Sequence, residues 1–377
     1  MLETHPNPDL IVRRDNKPRW NLPETRRHGY QNLARLTRYA QTWRSDVVLT
    51  LECDIDPGIG MDSDVEAMIE SRHFSAMCVA KGQRVLFDAY APDFAEDQQH
   101  TIMSITKITI NLVVGELVAA GALDLAKPVK HYLPEIGSGY AEASVQDVLN
   151  MNIENEYTED YSDPFATSFA HEVAIGWRLP TETSPQQTQK EFLAGLRSED
   201  IVNRTGAANY KSANTDVAGW VCEEVSGKPL ALWIRDVAEA IGVEHAWVQH
   251  TDREGFPIVD GGGCLSARDL ARLGLHFARG GEGVAGRRLG DADFIEQTRK
   301  QPGPAMPSPK DWYSYSNSTM TDGTWIGHGG YGGQYMLANP DTGVAISFFS
   351  VLENKDAMND AYSVRLVRMM ERLARDL

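Results

Sequence analysis

The sequence predicts an α/β fold of the α+β kind, with an antiparallel sheet flanked by N- and C-terminal helices and an inserted all-helical domain. Two hairpin patterns lie far apart, one towards each end of the chain, and helical spacing dominates the residues between them. A sheet drawn from both ends leaves the middle of the chain as an insertion. We therefore assign residues 1–108 and 250–377 to a sheet domain, which begins with an arm over 1–45, and residues 109–249 to a helical domain.

The composition excludes several classes of protein. The 377 residues are 42% hydrophobic and 24% charged, which is typical of a globular chain rather than a disordered one. The net charge of -17 disfavours binding to nucleic acid or to an anionic membrane. No stretch resembles a signal peptide or a membrane span, so we expect a cytoplasmic location. Neither the cysteines nor the histidines have the spacing of metal ligands, and no metal or other cofactor is predicted.

The elements of the N-terminal half follow from their periodicity. The arm over 1–45 is interpreted as a solvated arm or helix against an acidic body. Its arginines include Arg13, Arg14, Arg26, Arg27, Arg35, Arg38 and Arg44. Alternation over 75–80 and 84–90, around a Lys-Gly-Gln turn, predicts a β-hairpin. Apolar residues at helical spacing predict a helix over 105–120 and a short amphipathic helix over 143–151.

The C-terminal half begins with a long irregular stretch. Residues 154–185 carry many acidic, aromatic and Pro residues without a clean period. A loop of that length inside a compact domain is usually functional, so we predict a lid. The elements predicted after it are helices over 215–225, 230–241 and 266–279, a glycine turn over 261–263, a hairpin over 334–338 and 344–351, and a closing helix over 355–377.

A serine and a lysine stand three residues apart at the start of the first long predicted helix, in the segment MSITK. A serine there has unsatisfied N–H donors and the positive end of the helix dipole beside it, which favours a developing anion. Lys107 lies one turn further along the same face as Ser104. Burial in such a positive site favours the neutral amine, which can accept the serine proton. The alternative is an N-cap serine beside a surface lysine.

A tyrosine precedes a second predicted helix, in the segment NYKSANTD. Tyr210 can share a proton with a neighbouring serine if a lysine stabilises its anion, and Ser212 lies two residues on. The alternative is a core aromatic residue. A rival triplet begins at Tyr315, in a Ser-rich stretch that we interpret as an edge strand or a loop outside the site.

The third element is the glycine-rich segment GHGGYGGQ, which leads into a strand. Glycines let a strand backbone run alongside a bound acyl group. Its N–H groups can complete an oxyanion hole with that of Ser104. The alternative is a hairpin turn that contains a satisfied histidine, His328.

These three motifs occur in the order found in the serine β-lactamase and penicillin-binding-protein superfamily, which the chain resembles over roughly residues 75–350. The match is similar to the class C-like esterase and amidase branch, and within it to the aminohexanoate-dimer hydrolases. The stretches that carry this resemblance are MSITK, VVGELVAAGALDLAKPV, YTEDYSDP, GWR, YKSANTDVAGW and GGGCLSARDLARLG. The resemblance implies a β-lactamase-like fold and a serine hydrolase.

The resemblance implies catalytic roles, position by position. Ser104 would be the acyl-accepting nucleophile, Lys107 the general base and Tyr210 the proton relay. The backbone N–H groups of Ser104 and Tyr331 would hold the oxyanion. The implied substrate is a small-molecule amide or ester, hydrolysed through an acyl-enzyme without a cofactor.

The resemblance also implies substrate contacts. Tyr161 matches a tyrosine placed over the substrate amide, and Trp177 matches a tryptophan of the same lid. Asp260 falls where the family often has a polar residue. The second and third motifs add Ser212, His328, Gly329 and Gly330 to the expected binding residues.

Two motif positions depart from the family pattern, because Ser212 replaces an Asn and His328 replaces a Lys. A cephalosporin carboxylate would lose a favoured cation, so efficient β-lactamase action is not expected. A carboxylesterase, a D-amino-acid amidase and a β-lactamase-like peptidase remain alternatives on the same site. A catalytically idle binding or scaffolding protein is the alternative from another class. The sequence leaves open whether the chain forms a homo-oligomer.

Overall fold

An eight-stranded sheet joins the two ends of the chain. The computed structural model describes residues 2–4, 19–182 and 184–377. In these ranges the strands are β1 Ala40–Trp43, β2 Glu52–Cys53, β3 Phe74–Lys81, β4 Arg84–Tyr90, β5 His100–Thr101, β6 Trp247–His250, β7 Gly263–Leu265, β8 Ser314–Ser316, β9 Thr319–Thr321, β10 Ile326–Gly330, β11 Gln334–Asn339 and β12 Val344–Ser350. The α-helices there are α1 Arg26–Leu36, α2 Pro57–Gly60, α3 Ser63–Ile69, α4 Ile108–Ala119, α5 Val145–Leu149, α6 Thr167–Ala174, α7 Gln189–Gly195, α8 Ser212–Ser226, α9 Leu230–Ile241, α10 Ala267–Ala278, α11 Ala292–Lys300 and α12 Asp360–Asp376.

The large sheet has the strand order β2-β4-β3-β12-β11-β10-β9-β8. Its neighbouring strands are antiparallel, except that β2 runs parallel to β4. The first hairpin pairs with the last through β3 and β12, where Val344 lies opposite Lys81. Every residue of β12 is buried, so both faces of the sheet are covered, and α10 and α12 pack against it. The predicted sheet from both chain ends is confirmed.

A second antiparallel sheet, with the order β1-β6-β7-β5, was not predicted from the sequence. Its strands have two to four residues, too few for an alternating pattern to be recognised. The sheet matters for the site, because β5 leads directly into a 3₁₀ turn over Met103–Lys107 and then into α4.

Helices and turns fill the chain between β5 and β6. Helix α4 is buried around most of its circumference, as expected of a core helix, and packs against α8. Helix α8 ends at Gly227, whose φ of 63° lies in the left-handed region that glycine favours at a helix C-terminus. No helix in the described ranges has both the length and the apolar character that a bilayer crossing requires.

The N-terminal arm is more firmly packed than the sequence suggested. A helix forms there, but Trp20 and Tyr30 are buried, and the solvated interpretation is wrong for the inner face of α1. The guanidinium of Arg26 is also buried and donates to the main-chain oxygens of Leu352 and Asn354 at 2.7 and 2.6 Å. Composition could not reveal this, because the partners are backbone carbonyls rather than acidic side chains. Of the arginines named above, Arg13 and Arg14 lie outside the described residues.

The stretch over 154–185 is not wholly irregular, because it contains α6. The predicted absence of regular structure is therefore wrong over Thr167–Ala174. The helix has only eight residues, which gives barely two turns of periodicity for a sequence pattern to show. Thr183 of this stretch lies outside the described residues.

Candidate active site

The 3₁₀ turn places Ser104 at the floor of an open cavity. Met103 immediately before it has a φ of 47°, a left-handed conformation that costs energy in a residue with a side chain and is typical of functional sites. The turn is pressed against the end of β10, where a Cβ on Gly330 would lie 2.6 Å from the carbonyl oxygen of Ile102. A glycine is therefore required for this close approach. The cavity beyond measures 570 Å³ and includes Ser104, Tyr210 and Tyr331 in its wall.

The amine of Lys107 is buried and has three oxygen neighbours. Its Nζ lies 3.0 Å from the hydroxyl of Ser104, 3.0 Å from the hydroxyl of Ser212 and 2.5 Å from the main-chain oxygen of Asp260. A protonated amine can donate to all three. A neutral amine has two hydrogens and one lone pair, so one of the three neighbours must donate to it.

Glu159 determines which neighbour that is, and sequence reasoning missed this residue. Its Oε1 accepts the hydroxyl proton of Ser212 at 2.8 Å, and its Oε2 accepts the backbone N–H of the same serine at 2.8 Å. With its proton committed to Glu159, Ser212 can only accept from Lys107, and a carbonyl such as that of Asp260 can only accept. The lone pair of a neutral Lys107 is thus left facing the hydroxyl of Ser104. This is the arrangement that proton transfer from the serine requires.

The phenol of Tyr210 lies near the hydroxyls of Ser104 and Ser212. Burial and then the nearby Glu159 carboxylate raise the pKa of this phenol well above the ordinary value, although the two serine hydroxyls oppose the shift. Its ring centroid lies 5.1 Å from the amine of Lys107. The phenol therefore keeps its proton at neutral pH and is poised to donate rather than to act as the first base.

Tyr315, which sequence reasoning left outside the site, lies against Tyr210 with ring centroids 5.7 Å apart. It is on an edge strand, as predicted, but its hydroxyl lies 3.2 Å from Nε2 of His328. Nδ1 of His328 lies 2.6 Å from the carbonyl oxygen of Gly329, which fixes the proton on Nδ1 and leaves Nε2 as an acceptor. Burial, and secondarily the charge of Lys107, lower the pKa of His328 to about 3, so this imidazole is neutral.

His328 is therefore not placed as the sequence analysis expected. Among the described residues, Gly329 and Gly330 line the cavity, but the imidazole of His328 lies behind Tyr210 and is 1% exposed. Neighbouring side chains of a strand point to opposite faces, so a residue beside a cavity-lining position need not reach the cavity. The prediction that His328 contacts substrate directly is wrong for this arrangement. It supports the phenols of Tyr210 and Tyr315 instead.

Two aromatic residues of the 154–185 stretch lie near Ser104. Tyr161 forms part of the cavity wall, donates to Oε1 of Glu159 at 3.0 Å and packs on Tyr331 with ring centroids 4.7 Å apart. Trp177 is buried, donates to Nδ1 of His250 at 3.0 Å and packs edge-on against Trp20. Tyr161 thus borders both the open cavity and a small void of 40 Å³ beside Ser104, whereas Trp177 borders only the small void.

Asp260 also borders that void, together with Ser212. Burial, and then the charge of Asp216, raise the pKa of its carboxyl to about 6. His171, Asp216 and Asp260 are all buried, and their ligand-type atoms lie within 4.8 Å of one another. The set could hold a cation. An ion pair of 3.3 Å between His171 and Asp216 also gives part of the charge balance without one.

Comparisons with known proteins agree with the motifs. A model of the Beta-lactamase family matches residues 61–369. A 6-aminohexanoate-dimer hydrolase of Paenarthrobacter ureafaciens is 34% identical over 281 residues, which are 71% of this chain and 68% of that protein. A Bacillus anthracis structure assigned as a 6-aminohexanoate-dimer hydrolase aligns with a TM-score of 0.83 at 17% identity, over 99% of this chain and 98% of its own. A family VIII carboxylesterase structure aligns with a TM-score of 0.60 at 16% identity, over 88% of this chain and 99% of its own.

Proposed function

Since the chain belongs to the β-lactamase family and is a serine hydrolase, we propose that it cleaves a small linear amide through an acyl-enzyme on Ser104. The single observation that carries the proposal is the position of the Lys107 amine beside Ser104. Its amine lies 3.0 Å from the Ser104 hydroxyl, and its other two oxygen neighbours can only accept hydrogen bonds. A general base within hydrogen-bond distance of its serine is the first requirement of nucleophilic catalysis.

The proposed reaction has two halves. Lys107 takes the proton of Ser104 while the serine oxygen attacks the carbonyl carbon, and the backbone N–H groups of Ser104 and Tyr331 stabilise the oxyanion. Tyr210 gives its proton to the leaving nitrogen as the C–N bond breaks, and Lys107 returns a proton to Tyr210. In the second half a water molecule loses a proton to this pair and its oxygen attacks the acyl carbon of the ester. As the bond between that carbon and the Ser104 oxygen breaks, the pair gives the proton to the Ser104 oxygen, which releases the carboxylic acid and restores the serine.

The nature of the substrate is suggested by the relative and by the cavity. The relative's name gives a linear amide, the 6-aminohexanoate dimer, as its substrate. In this chain Lys310 is the only Lys, Arg or His among the described residues that line the cavity, where most of the other residues are uncharged. A free carboxylate at one end of a linear amide would find its favourable partner there. We therefore include a terminal carboxylate in the proposed substrate.

An ester is the second candidate substrate. The fold is shared with a family VIII carboxylesterase, and the same nucleophile, base and oxyanion donors serve ester cleavage. A cephalosporin is less favoured, because the neutral His328 supplies no cation for its carboxylate.

The test is to identify the group carried on Ser104. The protein is incubated with a fluorophosphonate and, separately, with the linear 6-aminohexanoate dimer and p-nitrophenyl esters, and intact mass and product release are recorded. We expect one adduct per chain, its loss in Ser104→Ala, and a melting temperature nearly unchanged in that variant. Ser347→Ala is the matched control, because Ser347 is a buried serine whose hydroxyl donates to the main-chain oxygen of Ala267 on α10. An adduct or turnover that survives in Ser104→Ala would refute the proposal.

A further inference from the structure

Behind Lys107 lies a chain of buried polar contacts that the mechanism above does not use. The main-chain oxygen of Asp260 accepts from Lys107, and the backbone N–H of Asp260 donates to Oδ1 of Asp216 at 3.1 Å. Oδ2 of Asp216 lies 3.3 Å from Nε2 of His171. Asp216 is 0% exposed and His171 is 2% exposed, so this chain of contacts runs through the protein interior.

We propose that Asp216 and His171 are positioning residues for the general base, which together fix the main chain of Asp260 so that its carbonyl holds the amine of Lys107. The inference rests on the proposed function, since it assumes that Lys107 is that base. Neither residue touches the substrate cavity, and both act through the peptide groups of Asp260.

Helix α8 explains why Asp216 can do this. Ser212 and Asp216 are four residues apart and therefore lie on the same face of the helix. Ser212 contacts the amine of Lys107 directly, and Asp216 holds the residue whose carbonyl is the amine's third neighbour. One rigid helix thus sets both acceptors that direct the lone pair of Lys107 towards Ser104.

His171 connects Asp216 to the 154–185 stretch, which contributes residues to the wall of the site. It comes from α6, its Nδ1 lies 3.3 Å from the hydroxyl of Tyr157, and its ring stacks on Phe192 with centroids 4.8 Å apart. Burial disfavours the imidazolium, but hydrogen bonding to Asp216 and the charge of Asp260 outweigh this and raise the pKa of His171. A protonated His171 would partly offset the charges of the buried Asp216 and Asp260, whose burial without a counter-charge is costly.

A purely structural pairing of Asp216 with His171 would affect stability and leave kcat unchanged, so the test measures both quantities. Asp216→Ala removes the acceptor of the Asp260 N–H, whereas Asp216→Asn keeps an oxygen there. We expect kcat to fall about 100-fold in Asp216→Ala with little change in KM, since a misplacement of about 1 Å has an effect of that size. We expect Asp216→Asn to recover most of the lost kcat.

The decisive experiment is done in the Lys107→Ala variant, which lacks the proposed general base. In Lys107→Ala, adding Asp216→Ala should not lower the rate of fluorophosphonate labelling of Ser104 further, because residues that act through one group are not additive. Asp269→Ala is the matched control. Asp269 is also a fully buried aspartate, and it accepts the backbone N–H groups of Glu244 and His245 away from the site. The Asp269→Ala variant should have a lower melting temperature than the wild type but the same kcat.

Two results would overturn the inference. One is an unchanged kcat in Asp216→Ala. The other is that Asp216→Ala lowers the labelling rate of Ser104 by the same factor in the Lys107→Ala background as it does in the wild type. If Asp216→Ala does not fold, His171→Ala provides the same comparison, because it leaves Asp216 in place without its partner. Failure of the proposed function would look different. In that case Ser104→Ala would keep turnover, whatever the Asp216 variants do.

Discussion

The hydroxyl of Ser212 donates to Oε1 of Glu159 at 2.8 Å, so that this serine meets Lys107 only as an acceptor. In this chain Ser212 replaces the Asn of the Tyr-x-Asn form of the family motif. An Asn amide carries both an acceptor oxygen and a donor nitrogen on one side chain. Here the acceptor for Lys107 is the hydroxyl of Ser212, and Glu159 fixes the orientation of that hydroxyl. Glu159 also accepts from the hydroxyl of Tyr161 at 3.0 Å.

The first prediction is that Glu159→Gln lowers kcat about 10- to 100-fold, the range expected for a hydrogen bond to a charged group. Both carboxylate oxygens accept from Ser212, whereas an amide must turn one donor towards it. If that donor faces the hydroxyl, Ser212 gives its own proton to Lys107 and competes with Ser104 for the lone pair. Steady-state hydrolysis of a p-nitrophenyl ester, beside the melting temperature, measures the effect.

Glu156→Gln is the control for this variant. Glu156 belongs to the same stretch, but its exposed side chain accepts from the backbone N–H of Arg197 instead of from a site residue. It should keep the wild-type kcat. Equal rates for Glu159→Gln and the wild type would show that the carboxylate does not direct the base.

The second prediction concerns the cation of the cavity. Lys310 forms an ion pair with Asp360 at 3.0 Å, and the side chain of Asp360 is half exposed and can yield to a ligand. We expect Lys310→Met to lower kcat/KM about 10- to 100-fold for the aminohexanoate dimer, by the loss of one charge-assisted hydrogen bond. The same dimer with its carboxylate converted to a neutral amide should show no such loss.

Lys300→Met is the matched control, because Lys300 contacts the main-chain oxygen of Gly323 and is not among the described cavity residues. It should leave both substrates unaffected. An equal loss of kcat/KM for the acid and the amide substrate would mean that Lys310 supports the local structure rather than the substrate carboxylate. That result would remove the carboxylate from the proposed substrate and leave the acyl-enzyme chemistry untouched.

The sequence could predict the parts of the site that are local. Ser104 and Lys107 are one helical turn apart, and Tyr210 and Ser212 stand together before a helix, so spacing alone brings out each pair. Glu159 carries no such signal, because it lies 53 residues from the serine it bonds and within a stretch rich in acidic residues. A contact of that kind depends on tertiary packing, which cannot be predicted from the periodicity of the sequence.

The same limit applies to the fold. The long hairpins and the helices of twelve or more residues have enough period to be recognised, and they were placed close to their observed bounds. The second sheet and α6 were missed, because each element is too short to repeat its pattern. Tyr315 lies on an edge strand, one of the two predicted alternatives, but its neighbours are His328 on β10 and Tyr210 just before α8, whose contact the sequence could not predict.

The last prediction is a loss of stability in mild acid that comes from buried neutral histidines. His276, on α10, lies far from the catalytic motifs in sequence, and its Nε2 lies 2.6 Å from the main-chain oxygen of Leu289. Burial lowers its pKa from 6.5 to about 4, although the hydrogen bond to Leu289 opposes the shift. The folded state therefore resists protonation over a range in which the unfolded chain accepts the proton.

The direction of the effect follows from proton linkage. Above pH 6.5 the imidazole is neutral in both states and stability is independent of this group. Between pH 6.5 and about 4 the unfolded state binds more protons, so the free energy of unfolding falls by up to about 1.4 kcal/mol for each pH unit of acidification. Below about pH 4 both states bind the proton, so the destabilisation caused by this histidine is complete and no longer changes with pH.

His276→Gln removes this titration and keeps an N–H donor for Leu289. Urea unfolding of both proteins at pH 7.5 and at pH 5 gives four free energies, and the difference at pH 7.5 measures the cost of the substitution itself. We expect the wild type to lose about 1–2 kcal/mol more than the variant between the two conditions. An equal loss of unfolding free energy in the two proteins would mean that His276 takes up its proton in the folded state as readily as in the unfolded chain, and that burial does not hold it neutral.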